Sequence, residues 1–339
     1  MHNVVILMPD DKTRGMFVTP AVIRAFEKLG SLHINQNAKY EPGAMAEMLK
    51  GCHVCVTGWG CPPLSEEILK DANDLRLVVH TGGSVADLTT DYLYDKGIRV
   101  ICANEMFAES VAEGTVAYIL TALRRIPFFN QKVQEGLWKE IDKKSKGLLD
   151  KKVGLVGFGA IPKYLVPMLK PFRADIQVYD PFVSDDTLQA HGIARAESLE
   201  TLFSECDIIS NHLPLRRETT GLISADLLNL MSPGALFVNT ARGATVDEEA
   251  LETVLQEGLI HAVLDVFTVE PLPPESKLRG LDNVILIPHM AGPTPDSHEK
   301  ISLTLAKASA HLLDGKPVIY EVSREYAAKM SSINMAEKR

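Results

Sequence analysis

Short apolar segments alternate with helix-like stretches from the start of the chain, and they do so in two series. Val4–Leu7, His53–Val56, Leu75–His80 and Gly97–Cys102 have the length and side chains of buried strands. Helix-like stretches around Ala21–Leu29 and Leu64–Ala72 separate them. A strand followed by a helix returns the chain in the same direction, so this alternation predicts a parallel sheet covered by helices. The second series begins at Lys152, with expected strands at Val153–Val156, Ile176–Tyr179, Ile208–Ser210, Ala235–Asn239, Ala262–Val266 and Val284–Ile287. At 339 residues the chain is too long for one comfortable core. Two α/β layers in succession are expected.

Two long helices join the series. Ala112, Val116, Ile119, Leu120 and Leu123 recur at helical spacing and form one apolar stripe. The second helix is expected over Pro295–Asp314, with Ile301, Leu305, Ala308 and Leu312 on one face. Thr294 is expected to cap it, Pro295 suits its first position, and Gly315 with Pro317 ends it. The chain left beyond it is too short for a third domain and is expected to rejoin the first, making that domain discontinuous. The expected division is 1–104 with 293–326, then 105–292, with a loosely held polar tail at 327–339.

Lys152-Val153-Gly154-Leu155-Val156-Gly157-Phe158-Gly159-Ala160-Ile161-Pro162 reads as a strand, a glycine turn and a helix start. Gly157 permits a tight turn, and Gly159 lets the backbone approach a pyrophosphate that the helix N-terminal amides then face. Asp180 closes the next strand, about 20 residues on, where an acid accepts from two ribose hydroxyls and repels a 2′-phosphate. No Arg or Lys follows it closely, so NAD is favoured over NADP. His212 falls at a strand end near the same crevice.

Arg242, Glu270 and His289 each follow a predicted strand of the second series. Ligands of open parallel sheets bind outside the carboxyl ends of strands, where these three would gather. An arginine fork suits the carboxylate and carbonyl of a 2-keto acid. Reduction puts charge on the carbonyl oxygen and calls for a proton donor, a role His fills near neutral pH. A carboxylate behind the imidazole orients it and favours its protonated form. Arg242 would bind, His289 would exchange the proton, and Glu270 would hold His289. Of the remaining histidines, His33, His191 and His298 read as structural or surface residues.

Bulk properties exclude other classes. A formal charge of −9 disfavours sequence-independent nucleic-acid binding, and the run Lys143-Lys144-Ser145-Lys146 is too short to offset it. No apolar stretch reaches the length of a membrane span, and the N-terminus reads as a first strand rather than a secretion signal. Five cysteines, an odd number, fit free thiols in the cytoplasm. Cys52, Cys55 and Cys61 read as small apolar groups, with Cys52 and Cys55 on opposite faces of a strand, and no metal is expected.

With these residues in hand the chain resembles the D-isomer-specific 2-hydroxyacid dehydrogenase family over nearly its full length. The matching stretches are Gly154–Gly159, Cys206–Leu215, Phe237–Gly243, Leu264–Phe267 through Glu270-Pro271-Leu272, and Ile287-Pro288-His289. The resemblance implies two doubly wound parallel-sheet domains: a Rossmann NAD-binding domain and a discontinuous flavodoxin-like substrate domain, with a deep cleft. It implies a homodimer built largely on the NAD-binding domain, and Arg242, Glu270 and His289 as the catalytic set. Cofactor contacts would fall on Gly157, Gly159, Ala160, Ile161, Asp180, Pro214, Thr219, Thr240, Ala241, Arg242 and Asp265, with His289 and Gly292 bordering the nicotinamide. Thr81-Gly82-Gly83-Ser84-Val85 is similar to the family's substrate loop, so Gly82, Gly83 and Ser84 would receive the substrate carboxylate with Arg242; a plain glycine turn is the alternative. Three departures stand out: Pro162 replaces the third glycine, Ala160 stands where the family often carries Arg, and the loop after His80 differs from the common form. Glyoxylate, hydroxypyruvate, 3-phosphoglycerate and bulkier acids all fit the pattern. Two rivals stay open at this level: formate oxidation, and a corepressor or scaffold that senses NAD(H) on the same fold.

Overall fold

The computed structural model describes residues 2–138 and 145–332. Lys143 and Lys144 of the basic run lie outside the described residues. Two compact units emerge, Met1–Phe107 with Pro293–Arg339, and Ala108–Gly292.

The first unit holds strands β1 (His2–Ile6), β2 (Gly30–Ile34), β3 (Val54–Thr57), β4 (Leu77–His80) and β5 (Arg99–Cys102), all parallel, in the order β2-β1-β3-β4-β5. This is the flavodoxin-like order. Alternate residues divide between two buried faces. Val4, Ile6, Val54, Val56, Leu77 and Val79 pack with Ile301, Leu305, Ala308 and Leu312, the four residues of the predicted stripe. Val5, Cys55, Val78 and Val100 pack on the other side with Met45, Leu49, Ile68 and Leu69. Cys52, Cys55 and Cys61 all meet this second core, because the strand begins at Val54 and Cys52 precedes it; opposite faces had been expected. Burial raises the thiols of Cys52 and Cys55, to about 12 for Cys52, so they pack as small apolar groups.

The sequence missed β2 because its alternation exposes Ser31 and His33 and leaves Leu32 and Ile34 as its whole apolar signal. Thr294 begins the helix Pro295–Leu313, but its hydroxyl caps no backbone amide there, contrary to expectation. The segment that precedes the expected tail is fastened to the first sheet. Val322 donates to Val100, Cys102 donates to Tyr320, and Arg99 grips Glu321 through two bonds of 2.6 and 2.7 Å. Ala327 and Met330 are buried in the core, so the tail is anchored as far as it is described. Residues 333–339 of the expected loose tail lie outside the described residues.

The second unit holds β6 (Lys152–Val156), β7 (Asp175–Tyr179), β8 (Ala194–Arg195), β9 (Ile208–Asn211), β10 (Leu236–Asn239), β11 (His261–Leu264) and β12 (Val284–Leu286). All are parallel, in the order β12-β11-β10-β9-β6-β7-β8. Succession runs one way from β6 and the other way from β9, so a crevice opens outside the carboxyl ends of these two strands. One face carries Val153, Leu155, Val178, Leu236 and Val238 against Ala112, Ile119 and Leu123 of the helix Asn104–Leu123. The other carries Ile209, Phe237, Ala262 and Leu264 against Leu202, Phe203, Leu251 and Leu255. The two-residue β8 is too short to carry a sequence pattern and was not predicted.

Candidate active site

The glycine turn sits at the switch point of the second sheet. Gly157 has φ +92°, and a Cβ there would come within 3.2 Å of the His212 carbonyl oxygen, so the turn lies on the loop that leaves β9. Gly159 precedes the helix Ala160–Leu169, and the space where its side chain would stand is open. Ala160 and Ile161 form the first helical turn, and Pro162 is buried within it, where a missing N–H costs nothing. Asp180 accepts from the Phe158 amide through Oδ2 and from the Phe182 amide through Oδ1, both at 2.8 Å. Each oxygen keeps a lone pair, so the open glycine turn, the helix N-terminus and this carboxylate together fit a dinucleotide.

The loop after β9 is internally braced. Thr219 Oγ1 donates to the Pro214 carbonyl at 2.6 Å and accepts from the Arg216 amide at 2.9 Å. His212 is buried, with Nε2 3.0 Å from Ser210 Oγ, while its Nδ1 has no partner among the described residues. One cation escaped notice in the sequence. Arg195, on β8, donates to the carbonyls of Asp180 and Val183 and pairs with Asp185, fixing the turn that carries Asp180.

Arg242, Glu270 and His289 follow β10, β11 and β12 respectively, three neighbouring strands. His289 Nδ1 lies 2.7 Å from Glu270 Oε2, and Glu270 Oε1 accepts from the Phe267 amide at 3.0 Å. Burial pushes the Glu270 carboxyl upward, but the bonds from His289 and Phe267, with the charges of His289 and Arg242, outweigh it and leave Glu270 below its ordinary value. The arginine charge is therefore felt at the carboxylate. Arg242 Nη1 donates to the Ala241 carbonyl at 2.6 Å. Ala241 and Thr240 are buried, and Thr240 Oγ1 is 3.1 Å from Thr115 Oγ1.

His289 has φ +53°, a conformation a side chain adopts only when neighbours impose it. Asp265 does so. Its carbonyl accepts the His289 amide at 2.8 Å, and its carboxylate accepts the amides of Met290 and Ala291 at 2.7 and 3.0 Å. Tyr118 donates to the same carboxylate at 3.4 Å, and burial still holds that carboxyl above its ordinary value. Three residues that sequence reasoning missed shape this corner: Tyr118, Gly114 and Gly243. A Cβ on Gly114 would lie 2.8 Å from the Ala291 oxygen, beside Gly292, and one on Gly243 would lie 1.9 Å from the Phe267 carbonyl carbon. Close backbone approach between loops distant in sequence leaves no local signal beyond the glycine itself.

The predicted substrate loop lies in the first unit. Gly83 gives its carbonyl to Asn104 Nδ2 at 2.8 Å, and Asn104 Oδ1 accepts from Tyr326 at 3.0 Å. Ser84 Oγ donates to the Ser331 carbonyl at 2.8 Å, so its hydroxyl is engaged by the chain's C-terminal segment. His80, which enters the loop, is buried with Nδ1 3.0 Å from Thr57 Oγ1.

His80 and His212 make a pH dependence. Burial lowers His80 to about 4 and His212 to about 3, while an unfolded chain protonates near 6.5. Between these limits the unfolded state binds more protons. Stability is therefore full above about pH 6.5 and falls as the pH drops toward the folded values. Each histidine should cost about 3 kcal/mol by pH 4. Urea midpoints measured from pH 7 to pH 4 should fall less steeply in His80→Gln than in the wild type; an unchanged slope would contradict this.

A doubly wound sheet with a glycine turn at its switch point, an acid at the next strand end and paired polar groups beyond defines a dinucleotide-binding protein of the Rossmann type. Residues 116–291 match the NAD-binding domain of D-isomer specific 2-hydroxyacid dehydrogenases. A D-3-phosphoglycerate dehydrogenase of Methanocaldococcus jannaschii is 30% identical over 295 residues, 87% of this chain and 56% of the relative. A hydroxypyruvate reductase of Thermotoga maritima is 33% identical over 247 residues, 72% of this chain and 79% of the relative. The crystal structure of a phosphoglycerate oxidoreductase from Rhizobium etli matches with a TM-score of 0.80 at 25% identity, covering 96% of this chain and 99% of that one. The chain belongs to the D-isomer-specific 2-hydroxyacid dehydrogenase family. It spans about half the length of several curated relatives it matches. Nothing in these likenesses supports the corepressor or scaffold alternative.

Proposed function

We propose that the protein is an NAD-dependent oxidoreductase that interconverts a small D-2-hydroxy acid and its 2-keto acid. The observation that carries this is the 2.7 Å contact between His289 Nδ1 and Glu270 Oε2 at adjoining strand ends. When bound, NADH supplies a hydride to C2 of the keto acid. Arg242 binds the substrate carboxylate and orients the carbonyl, and Gly82, Gly83 and Ser84 of the first unit offer backbone amides suited to a carboxylate. A carboxylate at Nδ1 fixes the tautomer with Nδ1 protonated, so Nε2 is the atom that delivers a proton to the developing alkoxide and takes it back in oxidation. Glu270 stabilises the imidazolium without itself leaving the ionised state.

Gly157, Gly159, Ala160 and Ile161 would hold the pyrophosphate, and Asp180 the ribose. Pro214, Thr219, Thr240, Ala241, Asp265 and Gly292 would line the rest of the cofactor site, with His212 beneath it. Asp265 acts through the loop it braces. Asp180 disfavours a 2′-phosphate, and Arg195 is already paired with Asp185, which supports NAD over NADP. A homodimer in the cytoplasm is the form proposed. The helix Ile126–Gln134 buries none of its residues, and Ile126, Val133, Leu137 and Trp138 are exposed, as a surface awaiting a second copy would be. No nucleic acid or membrane partner is proposed.

Arg242→Ala should raise the KM for keto acid by roughly 10- to 100-fold, the cost of removing a charge-assisted pair, with NADH binding little changed. NADPH should serve at least about tenfold less well than NADH, given the carboxylate at the ribose site. Initial rates over a panel of 2-keto acids with both cofactors test these points. An Arg242→Ala enzyme with unaltered KM would refute the binding role, and equal use of NADPH would refute the role of Asp180.

A further inference from the structure

The substrate loop of the first unit lies against aromatic rings. A Cβ on Gly82 would stand 2.6 Å from Nε2 of His80 and 2.9 Å from Cδ1 and Nε1 of Trp59, and one on Gly83 would stand 3.1 Å from the Phe107 ring. Imidazole, indole and phenyl groups thus press on the loop backbone, and glycine is what fits at positions 82 and 83. Trp59 is fixed in place: Phe17, fully buried, meets it edge-on at 5.2 Å, and Phe107 does so at 6.0 Å. It nevertheless keeps 43% of its surface exposed beside the loop.

The side chains nearest the would-be Cβ atoms of Gly82 and Gly83 are Trp59, His80 and Phe107. Of these, His80 is buried against Thr57 and neutral near pH 7. Arg14, which follows the neighbouring strand β1, pairs with Asp10 and donates to the carbonyls of Met8 and Asn35. A phosphate or sulfonate drawn to Arg14 would have to displace those bonds. An apolar group would instead gain ring contact and shed water.

We propose that Trp59 and Phe107 are specificity-determining residues, and that the 2-keto acids turned over best carry an uncharged, apolar group on the third carbon. This rests on the oxidoreductase reading above and on the loop amides holding the carboxylate, which leaves the remainder of the acid beside the rings.

The test is the kcat/KM of wild type and Trp59→Ala with NADH and glyoxylate, 3-phosphohydroxypyruvate, 4-methyl-2-oxopentanoate and phenylpyruvate. NADH binding is measured alongside, as a check that the variant is folded. In the wild type the two apolar acids should exceed the phosphorylated acid by at least about tenfold. Trp59→Ala should lower both by about tenfold and leave glyoxylate, which has no third carbon, within about twofold. A wild-type preference for the phosphorylated acid would overturn the proposal, as would a Trp59→Ala loss as large for glyoxylate as for phenylpyruvate. Either result leaves the oxidoreductase reading intact. A wild type that binds NADH but reduces none of the acids would sink that reading, and this proposal with it.

Discussion

His289→Ala should slow turnover by roughly 10²- to 10⁴-fold while the Kd for NADH stays nearly constant. The imidazole is the group proposed to exchange the proton, and its backbone is held by Asp265 independently of its side chain. Removing the ring therefore deletes chemistry without releasing the loop. Glu270→Gln should give a smaller loss, because an amide oxygen can still accept from Nδ1 but no longer offsets the imidazolium charge. The charge matters here: Glu270 lies below its ordinary carboxyl value, so it stays ionised until the pH falls well under neutrality. Single-turnover mixing of enzyme–NADH with keto acid, beside fluorescence titration of NADH, separates the effects. If His289→Ala abolished NADH binding together with turnover, the ring would be supporting the cofactor site and its assignment as proton donor would fail.

Why these residues were legible in the sequence, and others were not, follows from the fold. Strands alternating with helices force a parallel sheet, and a parallel sheet gathers its strand ends along one edge. Arg242, Glu270 and His289 could thus be grouped from their position after strands alone, although 47 positions separate the first from the last. The glycine turn and Asp180 were legible for the same reason. Tyr118 was not, because it lies on a helix whose apolar stripe accounts for its neighbours and gives no hint that its hydroxyl reaches Asp265. Nor does the sequence hint that the Ser84 hydroxyl serves the C-terminal segment, a pairing 247 residues long in sequence. The anchored tail was missed likewise: Ala327 and Met330 stand in a stretch too short and mixed to show a period, and periodicity cannot see burial supplied by a distant core.

Gly243 offers the sharpest test of how the site is assembled. Gly243→Ala should reduce activity at least as severely as the loss of Arg242, and should cost roughly 1–3 kcal/mol of stability or more. Gly243 starts a short 3-10 turn, a conformation alanine adopts without strain, so any effect must come from contact. That contact is severe. The new Cβ would lie 1.9 Å from the Phe267 carbonyl carbon, 2.2 Å from its oxygen and 2.3 Å from the Thr268 nitrogen, where carbon atoms ordinarily keep about 3.5 Å. The obstacle is backbone, which cannot swing aside as a side chain could. Either the turn carrying Arg242 or the loop from Phe267 to Glu270 must shift, and the Phe267 amide that holds Glu270 Oε1 shifts with the second. Gly43→Ala is the control: Gly43 is helical with nothing within 4 Å of its would-be Cβ, so alanine there should be neutral or slightly stabilising. Urea unfolding and kcat/KM on both variants decide the matter. A Gly243→Ala enzyme as stable and as active as the wild type would mean that the two loops are not held against each other, and the pairing of His289 with Glu270 would need another support.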